Sequence, residues 1–119
     1  MKLYLFERGG GKTVTAFGSE GFTMAGIVRE AEDTHIGCMY LEKGGIVGGH
    51  PAPVPQLLLV MAGEAVVRSD GGEPQTIGPG TAAYWESGEW HETRTETGLT
   101  AIVIESANMN VRMTEAAAG

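Results

Sequence analysis

Glycines stand between short apolar runs along the whole chain, and this placement constrains the fold more than any other feature of the sequence. Glycine makes up 19 of the 119 residues, about twice its usual share in proteins. No window longer than about ten residues shows helical periodicity. A chain of this length forms one domain, taken as residues 1–119. Short strands joined by many glycine turns predict an all-β sandwich or barrel.

The predicted strands fill the stretches between these turns. They are Lys2–Phe6, Thr13–Phe17, Phe22–Arg29, His35–Leu41, Val54–Met61, Glu64–Arg68, Pro74–Ile77, Thr81–Trp85, His91–Glu96 and Thr100–Glu105. The polar segment Glu30–Asp33 is predicted to connect two of them, and Asp70-Gly71-Gly72 to form a hairpin turn. For the tail, residues 107–119, two alternatives stay open: one short helical turn after Asn108, or a frayed end.

Two segments each place one histidine on a strand framed by turn glycines. The first, Gly44–Gly63, carries His50, and the second, Gly80–His91, ends on its histidine. Prolines at positions 51, 53 and 55 follow His50, and each fixes φ and removes a ladder hydrogen-bond donor. These prolines either hold their neighbours in place for a ligand or end a sheet edge. Two such histidines brought together in a barrel would form a metal or ligand site.

The first segment resembles the first cupin motif. Gly44, His50 and Gly63 match the two framing glycines and the first histidine of that motif. Ala52 stands where the motif has its second histidine, and Gln56 stands where it has its glutamate. The glycine framework is therefore intact, whereas the metal ligands of this motif are only partly retained.

The second segment resembles the second cupin motif. Gly80, Gly88 and His91 match it, while Glu86 replaces the proline and Thr95 replaces the asparagine. The resemblance covers about residues 36–105, most of the chain. The resemblance implies an all-β, cupin-type double-stranded β-helix, also called a jelly-roll barrel.

A site formed by His50, Gln56 and His91 is what the resemblance implies. These ligands carry no negative charge, so the site favours a divalent transition metal (zinc, nickel, copper or iron) over magnesium or calcium, and binds it with low affinity. The alternative for each histidine is a hydrogen-bonded core residue. Four side chains are expected to line a pocket for a small-molecule ligand: Met39, Val54, Trp85 and Trp90. The alternative is that they belong to the hydrophobic core, as such residues more often do.

Other ionisable side chains near the motifs are expected outside the site. Glu92 follows His91 on its strand and therefore points to the opposite face. Glu86 and Glu89 lie in the loop and are expected in solvent, with Glu89 as a rim group over the pocket mouth. His35 is expected to be a core or rim histidine.

Composition excludes several classes of partner. The net charge is −7 and the chain has no run of basic residues, which argues against nucleic acid and anionic membrane surfaces. The longest apolar run, Leu57–Ala62, is too short to span a bilayer.

A single cysteine, Cys38, cannot form an internal disulfide, and no signal peptide is evident, so we expect a cytoplasmic protein.

Leu57–Met61 is apolar at every position, so both faces of this strand must meet apolar surroundings. Either the strand lies in the middle of one sandwich, or one face forms the interface of a homodimer. We expect the homodimer.

Two functions of different classes fit the sequence. One is a metal-dependent enzyme acting on a small metabolite: an oxygenase, an isomerase or a decarboxylase. The other is a small-ligand binding or sensing module without catalysis, which kept the barrel and lost part of the metal site. Ala52 and Gln56 favour the second, and whether the chain is an enzyme stays open.

Overall fold

The computed structural model describes residues 1–116, and nearly all of its regular structure is strand. The strands are β1 (Lys2–Leu5), β2 (Lys12–Thr13), β3 (Thr23–Met24), β4 (Val28–Leu41), β5 (Ile46–Pro51), β6 (Gln56–Gly63), β7 (Ala65–Ser69), β8 (Gln75–Ile77), β9 (Thr81–Trp85), β10 (Trp90–Arg94), β11 (Leu99–Val111) and β12 (Thr114–Glu115). Short 3-10 helices cover Arg8–Gly10 and Ala16–Gly18. Within the described residues, no helix is long and apolar enough to cross a membrane.

The strands pair antiparallel and form two principal sheets. The larger sheet has the order β12-β1-β9-β6-β11-β4, and the smaller has the order β5-β10-β7-β8. Strands β2 and β3 form a separate two-stranded ribbon. The all-β prediction is confirmed.

The inner core lies between the two sheets. Both sheets contribute apolar side chains to it: Ala52, Leu58, Val60, Ala65, Val67, Ile77, Ala83, Trp85, Leu99 and Ala101. Trp85 is the largest fully buried side chain among them. The two sheets are therefore held together by hydrophobic burial, with Trp85 filling the end near the second motif.

A second apolar cluster covers the outer face of the larger sheet. Leu57 and Leu59 of β6 belong to it, whereas Leu58 and Val60 point into the inner core, as strand alternation requires. Side chains from the terminal parts of the chain pack against this cluster: Tyr4, Phe6, Ile27, Val28, Met109, Val111 and Met113. Residues 57–60 thus find apolar surroundings on both faces within one chain, so their pattern does not require a partner.

Strand β4 corrects one prediction from the sequence. It runs without a break from Val28 to Leu41, where two strands and a polar connector at Glu30–Asp33 were expected. Opposite β11, one extra residue of β4 is inserted between Arg29 and Glu32, which is a β-bulge. Glu30 and Asp33 adopt positive φ values of 56° and 46°. Because of the bulge, the polar residues that were predicted to connect two strands lie inside one continuous strand.

The N-terminal strands are shorter than predicted. Of the predicted strand Thr13–Phe17, only Thr13 is strand, as the second residue of β2, and Phe17 lies in a 3-10 helix with φ 60°. Phe17 is fully exposed, so this segment does not pack its apolar residues against the core, which would stabilise it as a strand. Of Phe22–Arg29, only Thr23–Met24 and the start of β4 are strand.

The tail forms strands rather than the helical turn considered from its sequence. β11 continues to Val111, and β12 adds Thr114–Glu115 to the edge of the larger sheet beside β1. Met113 is buried in the outer cluster, which holds this segment against the larger sheet. Residues 117–119, where the frayed alternative also applied, lie outside the described part of the chain.

Candidate ligand site at the barrel mouth

The two motif histidines lie side by side on neighbouring strands. β5 pairs with β10, and the register puts His50 directly opposite His91. Their ring centroids are 4.6 Å apart, with the ring planes at 53°. His91 is buried at 1% exposure, whereas His50 is exposed. The pair therefore has one imidazole inside the barrel and one at its rim.

Both imidazoles turn their Nδ1 atom towards a backbone carbonyl. His50 Nδ1 is 2.7 Å from the carbonyl oxygen of Gly48, and His91 Nδ1 is 3.4 Å from that of Glu89. Because a carbonyl oxygen only accepts, we assign the hydrogen of each neutral ring to Nδ1. Both Nε2 atoms are then left with a free lone pair.

Trp85 lies against His91 inside the barrel. Their ring centroids are 4.6 Å apart, with the planes at 32°. Among the described residues, two buried side-chain nitrogen or oxygen atoms have no hydrogen-bond partner, and they are Trp85 Nε1 and His91 Nε2. One is an obligatory donor and the other is an acceptor in the assigned tautomer. Buried polar atoms are rarely left unpaired, so these two atoms stand out as polar groups that the protein itself does not satisfy.

The environment of His91 keeps its ring neutral. Burial is the main cause that lowers its pKa below the ordinary value of 6.5, and the nearby His50 lowers it further. The contact with the Glu89 carbonyl and the charges of Glu89 and Glu105 oppose this decrease without cancelling it. At neutral pH, Nε2 of His91 is consequently an acceptor rather than a donor.

Gln56 belongs to a row of side chains across the larger sheet. Gln56 pairs with Trp85 on one side and with Glu105 on the other, and Glu105 pairs with His35 of β4. Each of these residues has the strand parity of inner-core neighbours such as Val60, so the row faces the barrel interior. Gln56 and Glu105 are half-buried, and His35 is exposed at the end of the row.

Glu105 was not among the site residues predicted from the sequence. It was placed at the end of the predicted strand Thr100–Glu105 and given no role. Its alternation with Ala101 on that strand would have assigned it an inward direction. Its proximity to the histidines depends on the pairing of β11 with β6, which no local pattern reveals.

The four expected pocket residues take different positions. Trp85 lies beside His91, Met39 packs against the inner core, and Val54 is half-buried in the connection between β5 and β6. Trp90 lies on the opposite face of β10 from His91. Its ring is 4.9 Å from the guanidinium carbon of Arg68, which also pairs with Glu92 at 3.1 Å. Trp90 is therefore not brought to the histidine pair.

The loop between β9 and β10 is tied to the segment that follows His50. The Ala52 N–H donates to the carbonyl oxygen of Glu89 at 2.8 Å, and the Gly88 N–H donates to that of Ala52 at 2.7 Å. Burial alone would raise the pKa of the Glu89 carboxyl, but hydrogen bonds from the Met1 amino group and the Glu86 backbone hold it below its usual value. These contacts fix the rim of the barrel mouth next to both histidines.

A surface cleft lies away from the histidine pair. It has a volume of about 680 Å³ and is lined by residues that precede the motifs: Phe6, Arg8, Thr13, Gly21, Phe22, Thr23 and Ala25. None of these residues belongs to the row or to the histidine pair. The barrel mouth is therefore identified by its polar atoms and not by its volume.

The family of the chain follows from comparison with known proteins. The cupin domain family matches residues 37–106, which include both motifs. The chain is a cupin. The resemblance noted in the sequence and the double-stranded β-helix that it implied are both confirmed. No curated protein sequence matches this cupin.

Solved structures similar to this cupin share its fold at low sequence identity. A cupin superfamily protein from Desulfitobacterium hafniense is 16% identical, with a TM-score of 0.60 over 76% of this chain and 82% of that chain. An RmlC-like cupin with a double-stranded β-helix fold from Methanocaldococcus jannaschii is 15% identical, with a TM-score of 0.59 over 71% and 74%. KdgF from a Halomonas species is 22% identical, with a TM-score of 0.58 over 70% and 78%.

The side chains at the cupin metal position fit a metal only in part. Among residues 1–116, no three His, Cys, Asp or Glu side chains form a group that could hold a metal ion. Ala52, at the position of the second motif histidine, is buried at 1% exposure in the inner core. The donors that remain are two imidazole Nε2 atoms and the amide of Gln56, which is fewer nitrogen ligands than a closed zinc site uses.

Proposed function

We propose that this cupin is a small-ligand binding module, and that His91 and Trp85 hydrogen-bond a hydroxyl group of its ligand inside the barrel mouth. The observation that carries the proposal is the pair of buried, unpaired atoms, His91 Nε2 and Trp85 Nε1, on adjacent rings. A hydroxyl group donates one hydrogen bond and accepts others, so one hydroxyl oxygen can satisfy both atoms. A carboxylate or an ammonium group can satisfy only one of them.

Exposed His50 and half-buried Gln56 extend the same site towards solvent. His50 offers a second Nε2 lone pair, and the Gln56 amide can both donate and accept. A molecule with several hydroxyl groups is therefore the ligand class that fits best. No bond-forming or bond-breaking step is needed for this function, in agreement with the binding-module alternative from the sequence.

The two tryptophans allow a direct test by NMR. The chain has only Trp85 and Trp90, so a proton–nitrogen correlation spectrum shows two indole N–H signals, and Trp90→Phe assigns them. Glycerol is the first probe. We expect it to shift the Trp85 indole signal while the Trp90 signal, on the outer face, stays in place.

His91→Phe keeps the ring stack on Trp85 but removes the acceptor, so we expect it to abolish the glycerol response. Equal shifts of both indole signals would mean a nonspecific solvent effect. Either that result or an unchanged Trp85 signal up to high millimolar glycerol would refute the hydroxyl site.

A divalent transition metal is the second candidate, because both Nδ1 atoms face carbonyls. Metal-bound histidines usually donate their second ring N–H in this way, which leaves Nε2 for the metal. His50, His91 and Gln56 would then hold a zinc, nickel, copper or iron ion weakly, and the ion would act as a Lewis acid towards a bound oxygen group. The enzyme alternative depends on this candidate.

Zinc titration by calorimetry separates the two candidates. If a metal is held by both imidazoles, His50→Ala removes zinc binding, and the double variant Ala52→His with Gln56→Glu strengthens it by at least about tenfold. The hydroxyl is held by His91 and Trp85, so His50→Ala should weaken the glycerol response at Trp85 without abolishing it. Zinc binding that is unaffected by His50→Ala would place the metal elsewhere.

We also propose that the protein is cytoplasmic. Its single cysteine, Cys38, is an exposed free thiol, which persists most readily in a reducing compartment. Detection of the endogenous protein in a membrane or secreted fraction would contradict this.

A further inference from the structure

Glu105 is a charged side chain near the barrel mouth that the proposed ligand contacts do not use, and unlike Glu89 it has no ion-pair partner among the described residues. It takes part in no ion pair and no side-chain hydrogen bond within residues 1–116. Two and four residues before it, Val103 and Ala101 pack in or against the inner core, so Glu105 also faces inward. It is half-buried and lies next to Gln56 across the strand pair β6–β11.

Glu105 also lies within electrostatic reach of His91. Burial dominates the lowered pKa of His91, and the carboxylate of Glu105 is among the groups that oppose that decrease. Even so, Glu105, His50 and His91 do not form a group that could hold one metal ion. A ligand that reaches both Glu105 and the histidine pair is therefore better described as a molecule than as a single ion.

We propose that Glu105 selects the charge of the ligand, by accepting a hydrogen bond from its hydroxyl or ammonium end and by excluding ligands with a carboxylate at that end. This inference rests on the proposed function, since it places one end of the ligand at His91 and Trp85 and the other at Glu105. A half-buried carboxylate without a protein partner gains a charge-assisted hydrogen bond from a donor group. The same carboxylate repels a second negative charge in surroundings that screen it less than bulk water does.

The net charge of the chain acts in the same direction. At −7, the molecule as a whole disfavours the approach of small anions. Glu105 adds a local and specific contribution at the mouth. The ligand class that follows is a neutral or amino-substituted polyol, as opposed to a sugar acid or another hydroxy acid.

Three probes with the same carbon skeleton test this selection. Glycerol, 3-amino-1,2-propanediol and glycerate share the other two carbons and differ at the terminal one, which at pH 7.5 is a hydroxymethyl, an ammoniomethyl or a carboxylate group. The Trp85 indole signal reports binding of each probe, and the Trp90 signal is the internal control. We expect the parent protein to bind the amino compound roughly fivefold more tightly than glycerate.

The decisive variant is Glu105→Gln, which removes the charge and nearly keeps the shape. We expect it to bring the affinities for the amino compound and glycerate to within roughly twofold of each other. Glu42→Gln is the matched control. Glu42 is exposed and follows the last residue of β4, and its replacement changes the net charge by the same amount as Glu105→Gln does. It should retain the selectivity of the parent.

The outcomes separate the two proposals. If the probes shift the Trp85 signal but Glu105→Gln leaves the order of affinities unchanged, the role of Glu105 is wrong and the hydroxyl site stands. If Glu42→Gln changes the order as much as Glu105→Gln does, net charge and not Glu105 selects the ligand. If none of the probes shifts the Trp85 signal, both proposals fail.

Discussion

Gly49 shows how one missing side chain shapes the strand that carries His50. A Cβ atom built on Gly49 would overlap the indole ring of Trp90, which packs across β5 at this point. The Arg68 guanidinium also packs on this ring, 4.9 Å from its centroid. The glycine before His50 thus allows β5 and β10 to approach while the two histidines meet on the inner face.

Gly49→Ala should destabilise the protein because the methyl group forces Trp90 or the strand to move. We expect a decrease of about 1–3 kcal/mol in the free energy of unfolding, measured by urea titration. Gly48→Ala is the control, since no atom lies within 4 Å of a Cβ built there. If the two variants lose equal stability, the packing of Trp90 on Gly49 is not what requires the glycine.

His91 should make the stability depend on pH. Burial is the main cause that lowers its pKa in the folded chain, so the unfolded chain takes up a proton at a higher pH than the folded chain does. The free energy of unfolding contributed by neutral His91 is therefore fully present above about pH 6.5, and it decreases as the pH falls towards the folded pKa.

Urea titrations at a series of pH values between about 5 and 8 measure this contribution. His91→Gln cannot titrate, so we expect its stability to fall less steeply below pH 6.5 than that of the parent. Parallel pH profiles would show that His91 is not the group responsible.

At the scale of elements, the long pairing of β4 with β11 extends the larger sheet beyond the barrel mouth. Ser106 stabilises the bulged part of this pairing. Its side chain is fully buried, and its Oγ accepts from the N–H of Glu32 at 3.2 Å and lies 2.7 Å from the Glu32 carbonyl oxygen. The hydroxyl therefore satisfies backbone groups next to the bulge, where the ladder is irregular.

Ser106→Ala should leave those backbone groups without a buried partner. We expect a loss of about 1–3 kcal/mol in the free energy of unfolding. Ser87→Ala serves as the comparison, because Ser87 is exposed and bonds one loop carbonyl. A loss no greater for Ser106→Ala than for Ser87→Ala would mean that the bulge does not depend on this hydroxyl.

The sequence predicted best those elements whose ends are marked by local chemistry. β9 has the predicted bounds, because Gly80 precedes it and a glycine-containing loop follows it. β4 was divided in two because the polar residues of its bulge have the composition of a connector. A bulge is defined by the partner strand, and the sequence around Glu30 does not show that partner.

The same distinction applies to the site. His50 and His91 could be placed on one face because each motif fixes its own strand. Glu105 was missed because its place beside Gln56 depends on the register of β11 against β6. Trp90 was expected among the pocket residues as an aromatic side chain, although it precedes His91 directly and adjacent residues of a strand face opposite sides.

At the scale of the whole molecule, part of the outer face of the larger sheet stays uncovered. The terminal segments cover Leu57 and Leu59, but Met61, Ile36 and Tyr40 are 50%, 67% and 74% exposed. Strand alternation and pairing place Ile36 and Tyr40 of the edge strand β4 on the outer face, and Met61 lies at the irregular step of the β6–β11 pairing. Contiguous apolar patches at a sheet edge are typical of protein interfaces.

The homodimer expected from the sequence therefore stays a prediction, with this patch as its interface in place of residues 57–60. We expect light scattering at micromolar concentration to give twice the 12.5 kDa mass of one chain. The double variant Ile36→Lys with Tyr40→Lys should give the monomer mass, because two ammonium groups cannot be desolvated in such an interface. Ile46→Lys is the control, since Ile46 is a similarly exposed residue of the smaller sheet.

Cys38 supplies a second measurement on the same surface. It lies between Ile36 and Tyr40 with the same strand parity, so a partner that covers the patch should also cover its thiol. We expect alkylation of Cys38 to be slow in the parent and in Ile46→Lys, and fast in the double variant. A monomer mass for the parent together with rapid alkylation would show that this face is free in solution, and the homodimer prediction would then be wrong.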